Sequence, residues 1–148
     1  MLLEDLRNDY KKSLKARDSE RVSALRFLLS EIQNREIELR TQRELTDEDV
    51  QGVLVGEARK CKESIREFEK AERGDLIEKE KRELQIIGEY LPPPLDEDEV
   101  RRMVKQAITE VGAASLADLG KVIGEVMSQV GGRAEGSLVS ELVKEELQ

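Results

Sequence analysis

The residue types that most often carry out chemistry in enzymes are nearly absent from this chain. It contains no histidine and a single cysteine, Cys61. Without an imidazole, the chain lacks the usual general base, the usual partner of a nucleophilic serine or cysteine, and the commonest zinc ligand. The sequence therefore predicts no catalytic residue, no cofactor, and no thiolate or imidazole metal site within one chain.

The single cysteine falls on an apolar stripe. Cys61 lies between Leu54 and Ile65 at spacings that keep all three residues on one face of a helix. Two interpretations of such a residue are a reactive thiol and a small buried hydrophobe. The stripe favours the second, and we interpret Cys61 as part of the core.

Two glycine-containing segments could approach a phosphate group. Gly120-Lys121-Val122 resembles the end of a phosphate-binding loop, but such a loop needs a glycine where Ser115 stands, a Ser or Thr after the lysine, and a preceding strand. The run from Gly131 to Gly136 is typical of cap and turn residues between two helices. Its functional alternative is a loop whose exposed amides and Arg133 approach the phosphates of a partner.

The chain is acidic overall. Its 148 residues carry a formal net charge of −8, and the segment from Pro92 onward holds 11 acids and 6 bases. Such a chain repels phosphate, so any nucleic-acid contact must come from a local basic patch, and no DNA binding is expected. Short clusters such as Lys11-Lys12 and Lys15-Ala16-Arg17 are interpreted as solvated surface.

Helices must position these residues, because apolar side chains recur at spacings of three and four along most of the chain. Four such stripes precede Pro92, and Thr46 followed by acids predicts the start of the third helix. Gly52 and Gly56 lower the propensity of that helix by roughly 1 kcal/mol each, so close backbone packing is expected there. Gly74 is expected to be the left-handed residue at its end.

The segment Leu91-Pro92-Pro93-Pro94 is the clearest boundary in the sequence. Successive prolines lack amide donors and favour an extended, semi-rigid chain, so a helix must stop there. Three further apolar stripes follow, with Asp96 and Ser137 as expected caps of the first and last helices. The sequence therefore predicts an all-α protein, with four helices in residues 1–91 joined through a Pro-rich hinge to three helices in residues 92–148.

The location expected from the sequence is the cytosol. The first five residues include two acids and lack a basic, apolar leader, and no apolar run approaches the roughly 18 residues that span a bilayer. A single cysteine cannot form an intrachain disulfide, which favours a reducing compartment. No membrane partner is expected.

The C-terminal part of the chain resembles the GatB/YqeY domain. That family shows a D-M-G-K-V-M stretch, then G-[KR]-A-D-G, then a V-K-x-x-L ending. The corresponding runs here are Asp118-Leu119-Gly120-Lys121-Val122-Ile123, Gly132-Arg133-Ala134-Glu135-Gly136, and Val143-Lys144 with Leu147. Tyr90-Leu91-Pro92 matches the family's Y-L-P, and Arg26 matches a recurrent arginine of the second helix.

The resemblance implies a bacterial, stand-alone protein of the YqeY family, whose activity is unsettled. A similar domain forms the tail of the GatB subunit of the tRNA-dependent amidotransferase, a carbon–nitrogen ligase with glutamine as amide donor. That tail recognises tRNA and carries no active site. Ligase activity would attach to this chain by family association only, since it has neither an ATP-binding nor an amidase constellation.

The resemblance leads to the hypothesis of an auxiliary tRNA-binding module, in which positive side chains and free amides at helix starts hold phosphates. The residues it implies are Gly120, Lys121, Gly132, Arg133, Gly136 and Lys144. A rival hypothesis is an interaction adaptor that docks through a helical stripe on an aminoacyl-tRNA synthetase or an amidotransferase subunit. The third hypothesis is that the chain is an enzyme in its own right.

Overall fold

The predicted all-α fold is confirmed by a computed structural model that describes residues 1–148. Seven α-helices and one short 3-10 turn account for the secondary structure, and there is no strand. The helices are α1 (Leu2–Ala16), α2 (Ser19–Leu39), α3 (Asp47–Lys70), α4 (Gly74–Gly88), α5 (Glu97–Val111), α6 (Leu119–Val130) and α7 (Gly136–Leu147), with the 3-10 turn at Leu116–Asp118.

The contacts divide the chain into two compact units. The first unit is Met1–Leu91 and holds α1 to α4, and the second unit is Pro92–Gln148 and holds α5 to α7. Each unit has its own cluster of buried apolar side chains. Whether the prolines between the units act as a hinge stays a prediction.

The core of the first unit is aliphatic. It forms where α3 packs on α4, α1 packs on α2, and α2 lies against α3. No aromatic ring belongs to the fully buried set, which comprises Leu6, Leu25, Leu28, Ile32, Val50, Leu54, Ala58, Cys61 and Ile87. Narrow seams between helices therefore hold this unit together, and Cys61 is one of the small side chains that fill them.

The core of the second unit consists almost entirely of valine. Its buried residues are Val100, Val104, Ala107, Val122, Val126, Val130, Val139, Leu142 and Val143. β-branched side chains lower helix propensity, so tertiary packing rather than intrinsic preference must stabilise these three short helices. The chain enters the unit through a backbone hydrogen bond in which Leu95 donates to the carbonyl of Arg133 at 2.8 Å.

Two predicted helix starts are confirmed as reciprocal caps. The Thr46 hydroxyl accepts from the Asp49 amide at 3.3 Å, while the Asp49 carboxylate accepts from the Thr46 amide at 2.8 Å. Asp96 and Glu99 make the same pair of bonds at the start of α5. Arg43 also binds Asp49, and this ion pair, followed by the bond from Thr46, lowers the pKa of the Asp49 carboxyl.

Two other expected caps are wrong. The left-handed residue after α3 is Glu72, with φ of 55°, and Gly74 instead begins α4. The amide of Arg73 closes the turn by donating to the Phe68 carbonyl at 3.0 Å. At the last helix, α7 begins at Gly136 after Glu135, so Ser137 lies inside the first turn and not at the cap.

The expected close packing at Gly52 and Gly56 is also wrong. A Cβ atom built on either glycine meets no atom within 4 Å. Both residues lie on the side of α3 that faces away from the core residues Val50 and Leu54. Their cost in helix propensity is therefore not offset by any contact inside the chain.

Tyr90 ties the end of the first unit to two of its helices. Its hydroxyl donates to the Asp9 carboxylate on α1 at 2.5 Å and accepts from Arg21 on α2 at 3.2 Å. Arg21 also donates hydrogen bonds to both carboxylate oxygens of Glu89, at 3.2 and 2.6 Å. Burial, followed by the bond to Asp9, raises the pKa of Tyr90 above its ordinary value, so the hydroxyl remains a donor at neutral pH.

Replacing Tyr90 with Phe removes the hydroxyl and leaves a half-buried acceptor on Asp9 without its donor. We expect the free energy of unfolding to fall by about 1–2 kcal/mol, the size of a hydrogen bond to a charged group. Urea denaturation followed by circular dichroism measures the change. Tyr10→Phe is the matched control, because the Tyr10 hydroxyl only accepts an exposed bond from Arg26. Equal losses in both variants contradict a special role for Tyr90.

Replacing Gly56 with Ala adds a methyl group where there is open space and improves helix propensity. We expect the free energy of unfolding to rise by roughly 1 kcal/mol. Gly131→Ala is the contrasting variant, since Gly131 has φ of 55° at the end of α6 and should lose stability with a side chain. Thermal melts of the two variants should shift in opposite directions, and a destabilised Gly56→Ala variant contradicts the geometry.

Candidate functional site

Gly120 and Lys121 lie in the first turn of α6. The helix is preceded by the 3-10 turn, where the Ser115 hydroxyl accepts from the Ala117 amide and the Asp118 carboxylate accepts from the Ala114 amide. Both Gly120 and Lys121 are exposed. The Lys121 ammonium has no ion-pair partner in the chain, so its charge is available to an external anion.

Gly132, Arg133 and Gly136 lie in the turn between α6 and α7. Gly132 has φ of 83°, which a residue with a side chain rarely adopts. The Nε of Arg133 donates to the Val130 carbonyl at 3.2 Å and so closes the C-terminus of α6. The residues therefore have a cap-and-turn role in the fold, and phosphate binding by this turn stays a prediction.

Lys144 lies in the last turn and a half of α7 and is exposed. The two residues that follow it, Glu145 and Glu146, are bound by Arg101 of α5, each at 3.1 Å. Arg101 also binds Glu97, so three carboxylates share one guanidinium. Lys144 has no ion-pair partner, and the cluster beside it keeps a net negative charge because one guanidinium offsets only one of the three carboxylates.

The six residues do not converge on one pocket. Gly132, Arg133 and Gly136 are neighbours in one turn, whereas Lys121 lies near the opposite end of the 12-residue helix α6, roughly 15 Å away along its axis. Lys144 follows Gly136 by about two turns of α7, or roughly 12 Å. A small ligand cannot touch all of these points at once, but a macromolecular backbone can.

The structure also places one thiol beside two carboxylates, which sequence reasoning missed. Cys61 of α3 and Glu80 and Glu83 of α4 each have a possible ligand atom within 4.8 Å of the other two. The sequence-based prediction of no thiolate metal site counted only cysteines and histidines. It did not consider a group of one thiol and two carboxylates. The signal was available as Cys61 and two acids one helical turn apart, but nothing in the sequence paired the two helices.

The environment of this group favours a protonated thiol. Burial, followed by the neighbouring Glu80, raises the pKa of Cys61 to about 12. A thiol must lose its proton to act as a nucleophile or a strong metal ligand. The confirmed burial of Cys61, at 6 % exposure, therefore fits the interpretation of a core residue.

A cavity of about 570 Å³ opens at the connection between α2 and α3. Its walls combine apolar side chains such as Met1 and Leu3 with charged ones such as Arg40 and Glu36. Arg43 lies in the same wall but is already bound to Asp49 at 2.5 Å. The lining includes no pair of groups arranged for acid–base or nucleophilic chemistry.

Some large apolar side chains remain at the surface. In the second unit, Val111 is 36 % exposed at the end of α5 and Leu116 is 47 % exposed in the 3-10 turn. Val111 follows the last turn of α5 that packs on the core. No helix combines the length and the apolar character needed to cross a membrane.

The comparisons with known proteins identify one family. The model of the Yqey-like protein family matches residues 3–147. A protein of Lachancea thermotolerans named "Altered inheritance of mitochondria protein 41, mitochondrial" is 36 % identical over 111 residues, which cover 72 % of this chain and 58 % of that protein. The protein of the same name from Pyrenophora tritici-repentis is 30 % identical over 151 residues, covering 98 % of this chain and 80 % of the relative.

A third relative, from Kluyveromyces lactis and with the same name, is 36 % identical over 110 residues. This chain spans 58 % of the Lachancea and Kluyveromyces proteins, which is less than two thirds of their length. The names place these fungal proteins in mitochondria, whereas the sequence alone pointed to a cytosolic, bacterial protein. Neither the tRNA nor the amidotransferase connection is mentioned in them.

The carboxyl of Glu83 provides a test of the group around Cys61. Burial, followed by the charge of Glu80, raises the pKa of Glu83 above its ordinary value, with Lys79 opposing and Glu57 adding to the shift. A raised pKa means that the ionised form destabilises the fold. The penalty is present above the folded pKa and disappears as the pH falls below the unfolded pKa.

We therefore expect Glu83→Gln to raise the melting temperature by a few degrees at neutral pH and to have little effect near pH 4, where the carboxyl is protonated. Glu78→Gln, at an exposed position of the same helix, is the control. A gain of the same size at both pH values contradicts the assignment.

Proposed function

The chain belongs to the Yqey-like protein family, and from that membership we propose that it is an auxiliary tRNA-binding module related to the tail of the tRNA-dependent amidotransferase. One observation carries the proposal. Lys121 and Lys144 remain exposed and unpaired in a unit whose acids outnumber its bases 11 to 6. In such surroundings, a lysine without a carboxylate partner is more readily explained by an external anion.

The contrast with Arg101 supports this step. Arg101 binds Glu97, Glu145 and Glu146, so its own charge is used within the chain, whereas Lys121 and Lys144 have no carboxylate partner. Lysine acts as a point charge toward phosphate, and such contacts position a protein on nucleic acid without reading its sequence. The two lysines can therefore approach a phosphate backbone, although the acids around them weaken the attraction.

The distances between the predicted residues favour a macromolecular ligand. Points separated by roughly 12–15 Å along α6 and α7 suit successive contacts along a folded RNA and not one small molecule. Folded RNA is recognised largely by shape and by backbone contacts. The acidic surroundings should make the affinity weak and strongly dependent on salt.

We place the chemistry in another protein. The chain has no histidine, burial keeps the Cys61 thiol protonated, and no ATP-binding or amidase motif is recognisable in the sequence. An aminoacyl-tRNA synthetase or an amidotransferase subunit is the partner that this division of roles predicts. The chain would hold the tRNA, and the partner would modify it.

We propose that the chain acts where tRNA is present, in the bacterial cytosol that the resemblance implies. Mitochondria, where the names place the fungal relatives, are the corresponding compartment for those proteins. Whether this chain contributes to the inheritance of mitochondria, as those names say of the relatives, is a separate question. A fluorescent fusion expressed in yeast tests the location directly.

The second candidate function is a protein-interaction adaptor. Val111 and Leu116 leave apolar surface uncovered around the connection between α5 and α6. A partner helix could cover these side chains without any phosphate contact. Docking of this kind depends little on salt, which separates it from RNA binding.

Binding of the purified protein to bulk tRNA across a salt series tests the leading proposal. We expect binding that weakens steeply with salt and that prefers tRNA to a plain RNA duplex. Lys121→Ala combined with Arg133→Ala should flatten the slope of log K against log salt by about 2, since each lost phosphate contact removes about 1.

Arg102→Ala combined with Lys105→Ala on α5 is the control, because it removes the same charge from the same unit. A loss of equal size in the control shows that net charge, and not the predicted site, sets the affinity. The absence of tRNA binding even at low salt rules the proposal out and leaves the adaptor. Binding that is unaffected by salt favours the adaptor as well.

A further inference from the structure

The second half of α1 concentrates positive charge on an acidic protein. Residues 7–17 contain one acid, Asp9, and five bases, which we call the α1 basic face: Arg7, Lys11, Lys12, Lys15 and Arg17. All five bases are exposed. The stretch therefore opposes the net charge of −8 carried by the whole chain.

The packing of α1 fixes the direction in which these side chains point. Leu6 and Ser13 are buried on the side of α1 that contacts α2 and α3. Arg7, Lys11 and Lys15 follow one another at intervals of four residues, so they form a row on the opposite side of the helix. From Arg7 to Lys15 this row extends roughly 12 Å along the helix axis.

None of the five bases has an acidic partner within the chain. Elsewhere in the first unit, Arg21 binds Glu89 at 2.6 Å, Arg43 binds Asp49 at 2.5 Å, and Arg82 binds Glu20. No ion pair or side-chain hydrogen bond is formed by the α1 basic face. Asp9, the one acid within residues 7–17, accepts a hydrogen bond from the Tyr90 hydroxyl at 2.5 Å. Glu4 and Asp5 precede the face in the first turn of α1 and Asp18 follows Arg17, but none of them forms an ion pair with it.

A structural role explains only part of this pattern. Cations near a helix C-terminus interact favourably with the helix dipole, and Lys15 and Arg17 are placed for that. The effect fades within the last turn, so it does not account for Arg7, Lys11 and Lys12. At these three positions an acidic side chain would keep the protein equally soluble, so solubility does not explain why they are basic.

We propose that the α1 basic face binds the phosphate backbone of RNA and is the main electrostatic contact of this protein with its nucleic acid. The inference rests on the proposed tRNA-binding function and deepens it by naming a surface that the resemblance does not include. A row of roughly 12 Å, with its bases one helical turn apart, is long enough to contact more than one phosphate of an RNA strand.

The burial of the apolar side of α1 favours RNA over an anionic membrane. An interfacial helix lies on a bilayer by placing its apolar face among the acyl chains. In this protein that face is already covered by α2 and α3, and Leu6 is fully buried. Among the core-side positions near the basic row, only Leu14 is substantially exposed, at 46 %. Electrostatic contact without insertion suits a phosphate backbone.

The test replaces Lys11, Lys12 and Lys15 with glutamine in the full chain. Glutamine matches lysine closely in helix propensity, so α1 should remain folded, which circular dichroism checks. We expect the affinity for bulk tRNA at low salt to fall tenfold or more. The slope of log K against log salt should become flatter by about 2–3, because each phosphate contact contributes about 0.7–0.9.

The matched control is Lys70→Gln with Lys79→Gln and Lys81→Gln. It removes three positive charges from exposed positions of α3 and α4 in the same unit. We expect this variant to lose less than threefold in affinity, as exposed charges away from the site act only through screened interactions. Losses of equal size in both variants overturn the assignment to α1.

Three other results also overturn the inference, each in a distinguishable way. If the wild-type protein binds tRNA and the α1 variant binds it with the same affinity and salt slope, the proposed function stands but the α1 basic face is not part of it. A wild-type protein that binds no tRNA at low salt removes both. Tighter binding to vesicles of phosphatidylserine and phosphatidylcholine than to tRNA, lost in the α1 variant, assigns the face to a membrane surface.

Discussion

Tyr90 is hydrogen-bonded between α1 and α2, and much of the first unit depends on that contact. Its hydroxyl joins Asp9 to Arg21, while Arg21 holds Glu89 beside it. Only Leu91, which packs on the same core, separates Tyr90 from the prolines, and prolines cannot continue a helix. The hydrogen bond of Tyr90 therefore holds the end of the first unit against α1 and α2. The same bond directs Asp9 toward Tyr90, and Asp9 forms no ion pair with the bases of α1.

The ion pairs divide the charged side chains into those bound to a partner within the chain and those free to bind an external ligand. Several arginines in this protein have carboxylate partners, as Arg21, Arg43, Arg82 and Arg101 do. The exposed lysines of α1, α6 and α7 have none. Surface pairs contribute little to stability, so the pairing matters less for the fold than for the surface potential that remains. On an acidic chain, that potential is positive only locally, which suits a weak, salt-sensitive and reversible hold on a polyanion.

The cores of both units are built from aliphatic side chains in narrow seams between helices, and the second unit relies on valine. Such seams bury few polar groups, and the buried ones are Ser13 and Glu57. The one group of close titratable side chains, Cys61 with Glu80 and Glu83, lies against the seam of α3 and α4, where burial keeps the thiol protonated.

The amino-acid sequence by itself determined the helical class, because apolar spacing of three and four is a local property that every element repeats. It also determined the capped starts at Thr46 and Asp96, since a cap and its partner lie within four residues. The sequence did not determine which faces meet. Gly52 and Gly56 were expected at a close contact and face solvent, because a glycine spacing does not reveal what lies opposite. The meeting of Cys61 with Glu80 and Glu83 and the hydrogen bond between Asp9 and Tyr90 were decided only by the tertiary structure. Each depends on how segments distant in sequence pack together, and local patterns carry no information about such contacts.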